Sequence, residues 1–479
     1  MTVASMNATG PVQTSSRGAK AAARVLVVGL GKTGIACTRH LRDRYGVAIE
    51  AVDSRQSPPG LAQFEREFPD VPIRLGSFER RWFERAATVV LSPGVSADEP
   101  ALRLALDAGV PVIGEIELFA RAALAPVAAI TGSNGKSTVT SLLGLMATTA
   151  GRNAAVGGNL GTPALELLPP AHLNGEISPN ILEARPRRDD PKAAQPDCYV
   201  VELSSFQLET TYSLNAAVAA VLNVSPDHLD RHGTFEAYAS AKQRVYRGTG
   251  VMVINLDDPV VMAMRDRARA AIGFSVEPRA ENAPGWDRGA RVFEGPVYGL
   301  AQREQHDGAL WLARWSHGQC TPLIPLETLP LPGRHNAANA LAALAMGSVL
   351  DLDEPAMLAG LSGYKGLAHR CQLIAAHAGV RWYNDSKGTN VGATRAALEG
   401  IGAEARVVLI AGGEGKGADF TPLALPLARY GRLAIVFGRD AGAIETAVAG
   451  SVPVRRAHDL QSAVHLAREA AERGDAILF

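Results

Sequence analysis

At 479 residues the chain exceeds what one hydrophobic core supports, so about two to four domains are expected, and its patterning favours three. Lys plus Arg and Asp plus Glu both total 48, which removes any global pull toward nucleic acid or an acidic membrane surface and leaves any anion site to local residues. Cys37, Cys198, Cys320 and Cys371 lie far apart with no C-x-x-C pair, a pattern that argues against disulfides or thiolate zinc and suits a reducing cytosol.

Residues 1–22 read as a disordered tail, since the apolar run behind their basic residues is short and glycine-punctuated like a strand and turn. From Ala23 to about residue 125, "RVLVVGL", "VAIEAVD", "TVVLSPG" and "VPVIG" alternate with helical patterns such as "TGIACTRHLRDRYG", which predicts a parallel sheet with crossover helices. Glu115, Glu117 and Arg121 interrupt the best apolar stretch before it reaches the roughly 18–20 residues that span a bilayer. A second α/β unit runs through "PVAAITGSNGKST", "DCYVVELSSFQLE", "AAVAAVLNVS" and "GVMVINLDD". Residues 172–197 are proline-rich, charged and aperiodic, and read as a solvated insertion. A third unit is expected from residue 332, opened by "HNAANALAALAMGSVL" and continued by the strands "GVRWYNDS", "ARVVLIAGGEG" and "RLAIVFG".

Two glycine-rich loops suggest nucleotide chemistry. "GLGKTG" places Gly29, Gly31 and Gly34 in G-x-G-x-x-G spacing after a strand, with Asp53 ending the next one. Such a loop can hold the diphosphate of NAD(P) or of a UDP-linked ligand, or be a structural turn, and the spacing alone leaves all three open. "TGSNGKST" lacks the first glycine of the usual P-loop, having Ile130 there, yet it is the more specific of the two. Gly132 and Gly135 let the backbone approach phosphate oxygens, Lys136 supplies a cation and Ser137 a hydroxyl for Mg²⁺. Hydride transfer has no use for a γ-phosphate site, so both loops in one chain favour an ATP-dependent ligase acting on a phosphate-bearing substrate. Taken singly, Glu202 at the end of "VVE" closes a strand of the loop's sheet, a place for a Mg²⁺-directed carboxylate although a lone strand-end glutamate is usually just solvated; His228 reads as a loop histidine, and Lys242 as a surface lysine on an amphipathic helix.

"TGSNGKST", "GGNLG", "ELSSFQLE", "NVSPDHLDRH", "AKQRVY", "GRHNAANALAA", "AHRCQ", "YNDSKGTN" and "GGEGKGADF" occur in one order, and over roughly residues 23–479 the chain resembles the Mur ligases, most of all their glutamate-adding branch. The resemblance implies three α/β domains: a Rossmann-like UDP-binding domain (23–125), a central P-loop ATPase-like domain (126–331) and a Rossmann-like C-terminal domain (332–479). It implies that ATP phosphorylates the carboxylate of UDP-N-acetylmuramoyl-L-alanine and that the amine of glutamate, most simply D-glutamate, then displaces phosphate. Implied cofactors are ATP and two Mg²⁺ ions. Gly132, Ser133, Asn134, Gly135, Lys136, Ser137 and Thr138 would hold ATP with Asn336, Asn339, Arg370 and Asp385, the last at the ribose. Ser137, Glu202, His228 and Lys242 would serve the metals, Lys242 as a carbamate formed with CO₂. Lys32, Thr33, Ser54, Arg55 and Gly94 would take the UDP part, Asn159 the muramoyl part, with Ser204 and Phe206 beside the reacting centre. Lys387, Thr389 and Lys416 would hold the glutamate.

A cytoplasmic monomer of peptidoglycan precursor synthesis is expected, with neither nucleic-acid nor membrane partners. The third domain is expected to swing on a hinge in "LPLPGRH". The resemblance runs out at "GDAILF", where the family continues into a "SPACAS"-like loop and a last helix; this implies either a truncated chain or a glutamate pocket open on one side. Residues 172–197 and about 280–308 are longer than the family pattern. Alternatives from other classes are an NAD(P)-linked oxidoreductase, a non-catalytic UDP-sugar module, an L-glutamate-specific or other Mur-type ligase, and a folate-type polyglutamate ligase.

Overall fold

Three large sheets, each built around parallel strands, follow one another along the chain, with a separate two-stranded antiparallel ribbon of Trp286–Arg288 and Arg291–Phe293. The computed structural model describes residues 24–171, 181, 194–282, 286–288, 291–303, 307–331, 333–415 and 417–479; the tail expected at 1–22 lies outside them. The first sheet has five strands in the spatial order Ile73–Leu75, Ala48–Asp53, Arg24–Val28, Thr88–Leu91, Val112–Gly114, all parallel. Its central strand carries Val25, Leu26, Val27 and Val28, buried on both faces, as a strand covered by helices on either side requires. The order reverses beside this strand, between Arg24–Val28 and Thr88–Leu91, which is where an open parallel sheet offers a crevice at the strand ends.

The second sheet has nine strands. Seven are parallel around Val127–Thr131, the outermost being Val297–Arg303, from which Ala309–Ser316 and Gln319–Pro325 continue as an antiparallel meander. The helix Lys136–Thr149 rises from the end of Val127–Thr131 and buries Val139, Leu142, Leu143 and Met146. The alanine-rich helix Arg334–Val349 packs in the same hydrophobic cluster through Ala340 to Met346, joined by Met357 and Leu361 of the helix Glu354–Ser362. Small side chains bring these helices close: a Cβ on Gly360 would lie 3.1 Å from the Cα of Met146. The helices that the sequence assigns to the third unit therefore belong to the core of the second, because their apolar faces are used there. The stretch 363–371 leads from these helices to the third sheet and carries positive φ at Gly366, His369 and Cys371.

The third sheet has six strands. The hairpin Gln372–His377 with Val380–Asn384 is antiparallel; Ala476–Leu478, Val407–Gly412, Gly431–Phe437 and Val454–Arg456 continue in parallel. The insertion at 172–197 falls mostly outside the described residues, but Ile181 is buried in the main core and its carbonyl accepts a hydrogen bond from Arg121, so this part is packed, not solvated. All four cysteines are free, and no helix among the described residues is long and apolar enough to cross a membrane.

Candidate active site

Three clefts follow the junctions between and within these sheets. The first, about 1210 Å³, lies at the strand-order reversal of the first sheet and gathers Lys32, Thr33, Ser54, Arg55 and Gly94 with Asn159 from the second unit. Its loop depends on glycine: a Cβ on Gly34 would stand 1.9 Å from the carbonyl oxygen of Gly29. The Leu30 amide donates to Asp53 Oδ2 at 2.7 Å, and Arg55 donates to both carboxylate oxygens at 2.8 and 2.7 Å. Burial pushes the Asp53 carboxyl up, but these bonds win and hold it below the usual range. Asp53 thus fixes the loop and is spent on Arg55, which leaves it poorly placed for the ribose contact of a dinucleotide site. Gln207 completes the wall. It was not singled out from the sequence, although Ser204 and Gln207 stand at capping-box spacing and form that box: the Ser204 Oγ accepts from the Gln207 amide, and the Gln207 Oε1 from the Ser204 amide.

The second cleft, about 1090 Å³, separates the second and third units. It is lined by Asn134, Gly135, Thr138, Asn336, Asn339, Arg370 and Asp385, all expected, and by His335, Leu331 and Tyr383, which were not. Gly135 sits at φ +84°, and a Cβ there would meet Asn339 Oδ1 at 2.3 Å, so loop and helix fit only with glycine. Arg370 crosses the junction and donates to the Ser137 hydroxyl at 2.8 Å. Burial raises the Asp385 carboxyl and pushes the neighbouring Cys371 thiol up to about 12.

Behind the loop, the Lys136 ammonium donates to the carbonyls of Gly132 and Ser133, both at 2.9 Å. Lys242, 1% exposed, donates to the same Gly132 carbonyl at 2.8 Å and lies 4.4 Å from the centre of the Tyr238 ring. The surface lysine expected from helix periodicity is therefore a core lysine, turned inward because its helix Phe235–Gln243 packs that face against the loop. Burial first, and then the adjacent Lys136, hold the Lys242 amine well below the usual lysine range. Desolvation also lowers Lys136, with Glu202 opposing. Ser133 is tied to the Ser225 carbonyl at 3.0 Å and to the Tyr238 hydroxyl at 3.1 Å.

Glu202, 2% exposed, accepts from Asn159 at 2.7 Å through Oε1, while its buried Oε2 has no partner among the described residues. An uncompensated buried carboxylate oxygen is costly, and a cation is what it suits. The ring of His228 stands edge-on to Phe206 with 4.9 Å between centroids, and its Nε2 is 3.8 Å from Asp227. No group of three His, Cys, Asp or Glu that could alone hold a metal occurs among the described residues.

The third cleft, about 1180 Å³, is lined by Thr389, Asn390, Thr394, Gly415, Phe420 and Asp440 among others. Of the three residues expected at the glutamate, Thr389 is in this lining. Lys387 is exposed and is not in this lining; its amide donates to the His369 carbonyl at 3.1 Å. Lys416 lies outside the described residues.

Comparison with known proteins decides the family. Residues 23–114 match the Mur ligase MurD-like N-terminal domain, 130–347 the Mur ligase middle domain, and 369–479 the Mur ligase glutamate ligase domain. The chain is 47% identical to the UDP-N-acetylmuramoylalanine–D-glutamate ligase of Nitrosococcus oceani, over 96% of this chain and 91% of that one. The chain belongs to the Mur ligase family. Like its relatives, this Mur ligase is an ATP-dependent amide-bond ligase, and the oxidoreductase reading of the first loop falls away. The ligase is also 46% identical to the protein of the same name from Chromohalobacter salexigens, over 96% of this chain and 92% of that one. Among solved structures, a pseudomurein peptide ligase from Methanothermus fervidus (TM-score 0.57, 18% identity, 95% of this chain and 96% of that one) and MurF from Acinetobacter baumannii (TM-score 0.56, 17% identity, 95% and 89%) share the fold.

Proposed function

We propose that this Mur ligase joins D-glutamate to UDP-N-acetylmuramoyl-L-alanine through an acyl phosphate, in the cytoplasm, as a monomer. The observation that carries the reading is the convergence of Lys136 and Lys242 on the Gly132 carbonyl in front of a buried Glu202 with an unpartnered oxygen. It supports a site built for phosphate and cation together. In this reading residues 132–138 cradle the triphosphate, with Asn336 and Asn339 behind them, Arg370 at the phosphates and Asp385 at the ribose. Lys32, Thr33 and Gly94 take the diphosphate of the UDP substrate, with Ser54 and Arg55 at the strand end, and Asn159 reaches its muramoyl part. Ser204 and Phe206 line the reacting centre.

Mg²⁺, when bound, neutralises charge between the phosphates and the substrate carboxylate. Ser137 and Glu202 would hold one ion, His228 and Lys242 a second. An ammonium cannot ligate a cation, so Lys242 must change. Its depressed amine supports carbamylation, because the neutral form is the one that adds CO₂ and the product is an anion. Thr389 with Lys387 and Lys416 binds the glutamate carboxylates, and the first and third domains take residues 23–125 and 332–479 less the helices described above.

Phosphate release with UDP-N-acetylmuramoyl-L-alanine and ATP, comparing D-glutamate, L-glutamate and no amino acid, tests this. Release dependent on D-glutamate is expected. Equal release with L-glutamate would overturn the stereochemical assignment, and release with neither would overturn the substrate class.

A further inference from the structure

Asn390 has every hydrogen-bonding position of its side chain in use, across the junction of the second and third units. An asparagine amide offers two donor and two acceptor positions. Asn390 Oδ1 accepts from the Ala393 amide at 2.9 Å, capping the helix Val391–Gly402, and from Asn134 Nδ2 at 3.2 Å. Its Nδ2 donates to Asn134 Oδ1 at 3.0 Å and to Asp227 Oδ2 at 3.1 Å. The two amides thus pair reciprocally, and the second donor reaches a carboxylate. Asn134 is itself fixed: its amide donates to Asn223 Oδ1 at 2.8 Å, and its carbonyl accepts from Asn223 Nδ2 at 3.1 Å. Asp227 is the residue before His228.

The pair stands between two clefts. Asn134 lines the one that contains the phosphate loop, Asn390 the one that contains Thr389, and Gly388 and Asp385 line both. A link of this kind fixes how far the amino-acid cleft stands from the phosphate loop. A saturated side chain does this without slack, because rotating Asn390 to free one bond breaks the others.

We propose that Asn390 is a positioning residue for the second half-reaction: through Asn134 and Asp227 it registers the glutamate cleft against the phosphate loop, so that the amine reaches the acyl phosphate ahead of water. This rests on the function proposed above. When registration is lost, water attacks instead. The acyl–phosphate linkage breaks, the carboxylate and inorganic phosphate return, and ADP has formed without an amide.

The test is Asn390→Ser. Serine retains a capping oxygen for the helix but cannot reach Asn134 or Asp227. ADP and amide product are measured in the same reaction with UDP-N-acetylmuramoyl-L-alanine, ATP and D-glutamate. The parent protein is expected to form them in equal amounts. The variant is expected to form ADP in excess, with amide formation down roughly tenfold, as for loss of one to two net hydrogen bonds, and with the KM for ATP nearly unchanged. Asn134→Ala is expected to give the same excess, and the double variant to be no worse than the poorer single one. ADP and amide falling together in equal amounts would overturn the proposal and leave Asn390 a structural cap; additive losses in the double variant would also overturn it. If Asn390→Ser does not fold, Asn134→Ala decides alone by the same ratio. A parent protein that forms no amide refutes the proposed function, an outcome distinct from either variant result.

Discussion

At the scale of single residues, burial sets the chemistry. Lys242 is the clearest case, since two lysines on one carbonyl oxygen cannot both remain comfortable cations. Lys242→Arg is expected to be inactive, because a guanidinium stays charged and is repelled by Mg²⁺. Lys242→Ala is expected to regain part of its activity with added small carboxylates. An active Lys242→Arg enzyme would exclude the carbamate. His40 provides a second case, away from the clefts. It is 6% exposed, its Nε2 has no partner among the described residues, and burial, helped by Arg44, lowers it to about 3. Unfolding lets it take up a proton near 6.5, so the stability its neutral form contributes is complete above that pH and is lost as pH falls toward 3. The loss amounts to about 2 kcal/mol between pH 6.5 and 5, at roughly 1.4 kcal/mol per unit. His40→Leu, which binds no proton, is expected to show a flatter melting temperature over that range. Equal slopes for variant and parent would place the acid sensitivity elsewhere.

At the scale of elements, the strands were legible because period and β-branching decide them locally: "RVLVV", "YVVE" and "VVLIAG" fold as strands. What a helix packs against was not. "HNAANALAALAMGSVL" is apolar nearly all round, so it names no preferred face, and only the small residues opposite it place it on the second core. The inward turn of Lys242 was hidden for the same reason: its burial depends on the phosphate loop, which is 110 residues away in sequence. The part Gln207 plays in the first cleft was equally hidden, since that contact is a matter of assembly and its capping spacing predicts only a helix start. The packing itself is open to test. Gly360→Val places atoms where the Met146 backbone stands, and is expected to cost about 1–3 kcal/mol, the range for overpacking. Urea denaturation measures this; a variant as stable as the parent would mean that the helices are not in close contact.

At the scale of the whole molecule, a hinge at residues 363–371 is expected to set which parts move. Arg370 lies on the Ser137 hydroxyl, which is also proposed to meet Mg²⁺, so loading the site requires Arg370 to shift its contact. A rotation about this hinge carries the third sheet but leaves the helices Arg334–Val349 and Glu354–Ser362 behind. Paired fluorescent labels on the helices Glu354–Ser362 and Lys136–Thr149 are expected to keep their separation when ATP and the UDP substrate are added, whereas a label on the helix Leu460–Ala470 changes its distance to either. A change within the first pair would return the hinge to "LPLPGRH".

The first cleft has a calorimetric consequence. Its walls come from two units: Lys32, Ser54 and Gly94 from one, Asn159, Pro163 and Gln207 from the other. A ligand at a hundred times its Kd adds about 2.7 kcal/mol to the state that binds it. Here that state exists only while both walls stand, so melting either unit forfeits the whole gain. Heating scans with increasing UDP substrate are therefore expected to draw the transitions of the first two units upward and together until they merge, while the third unit melts where it did before.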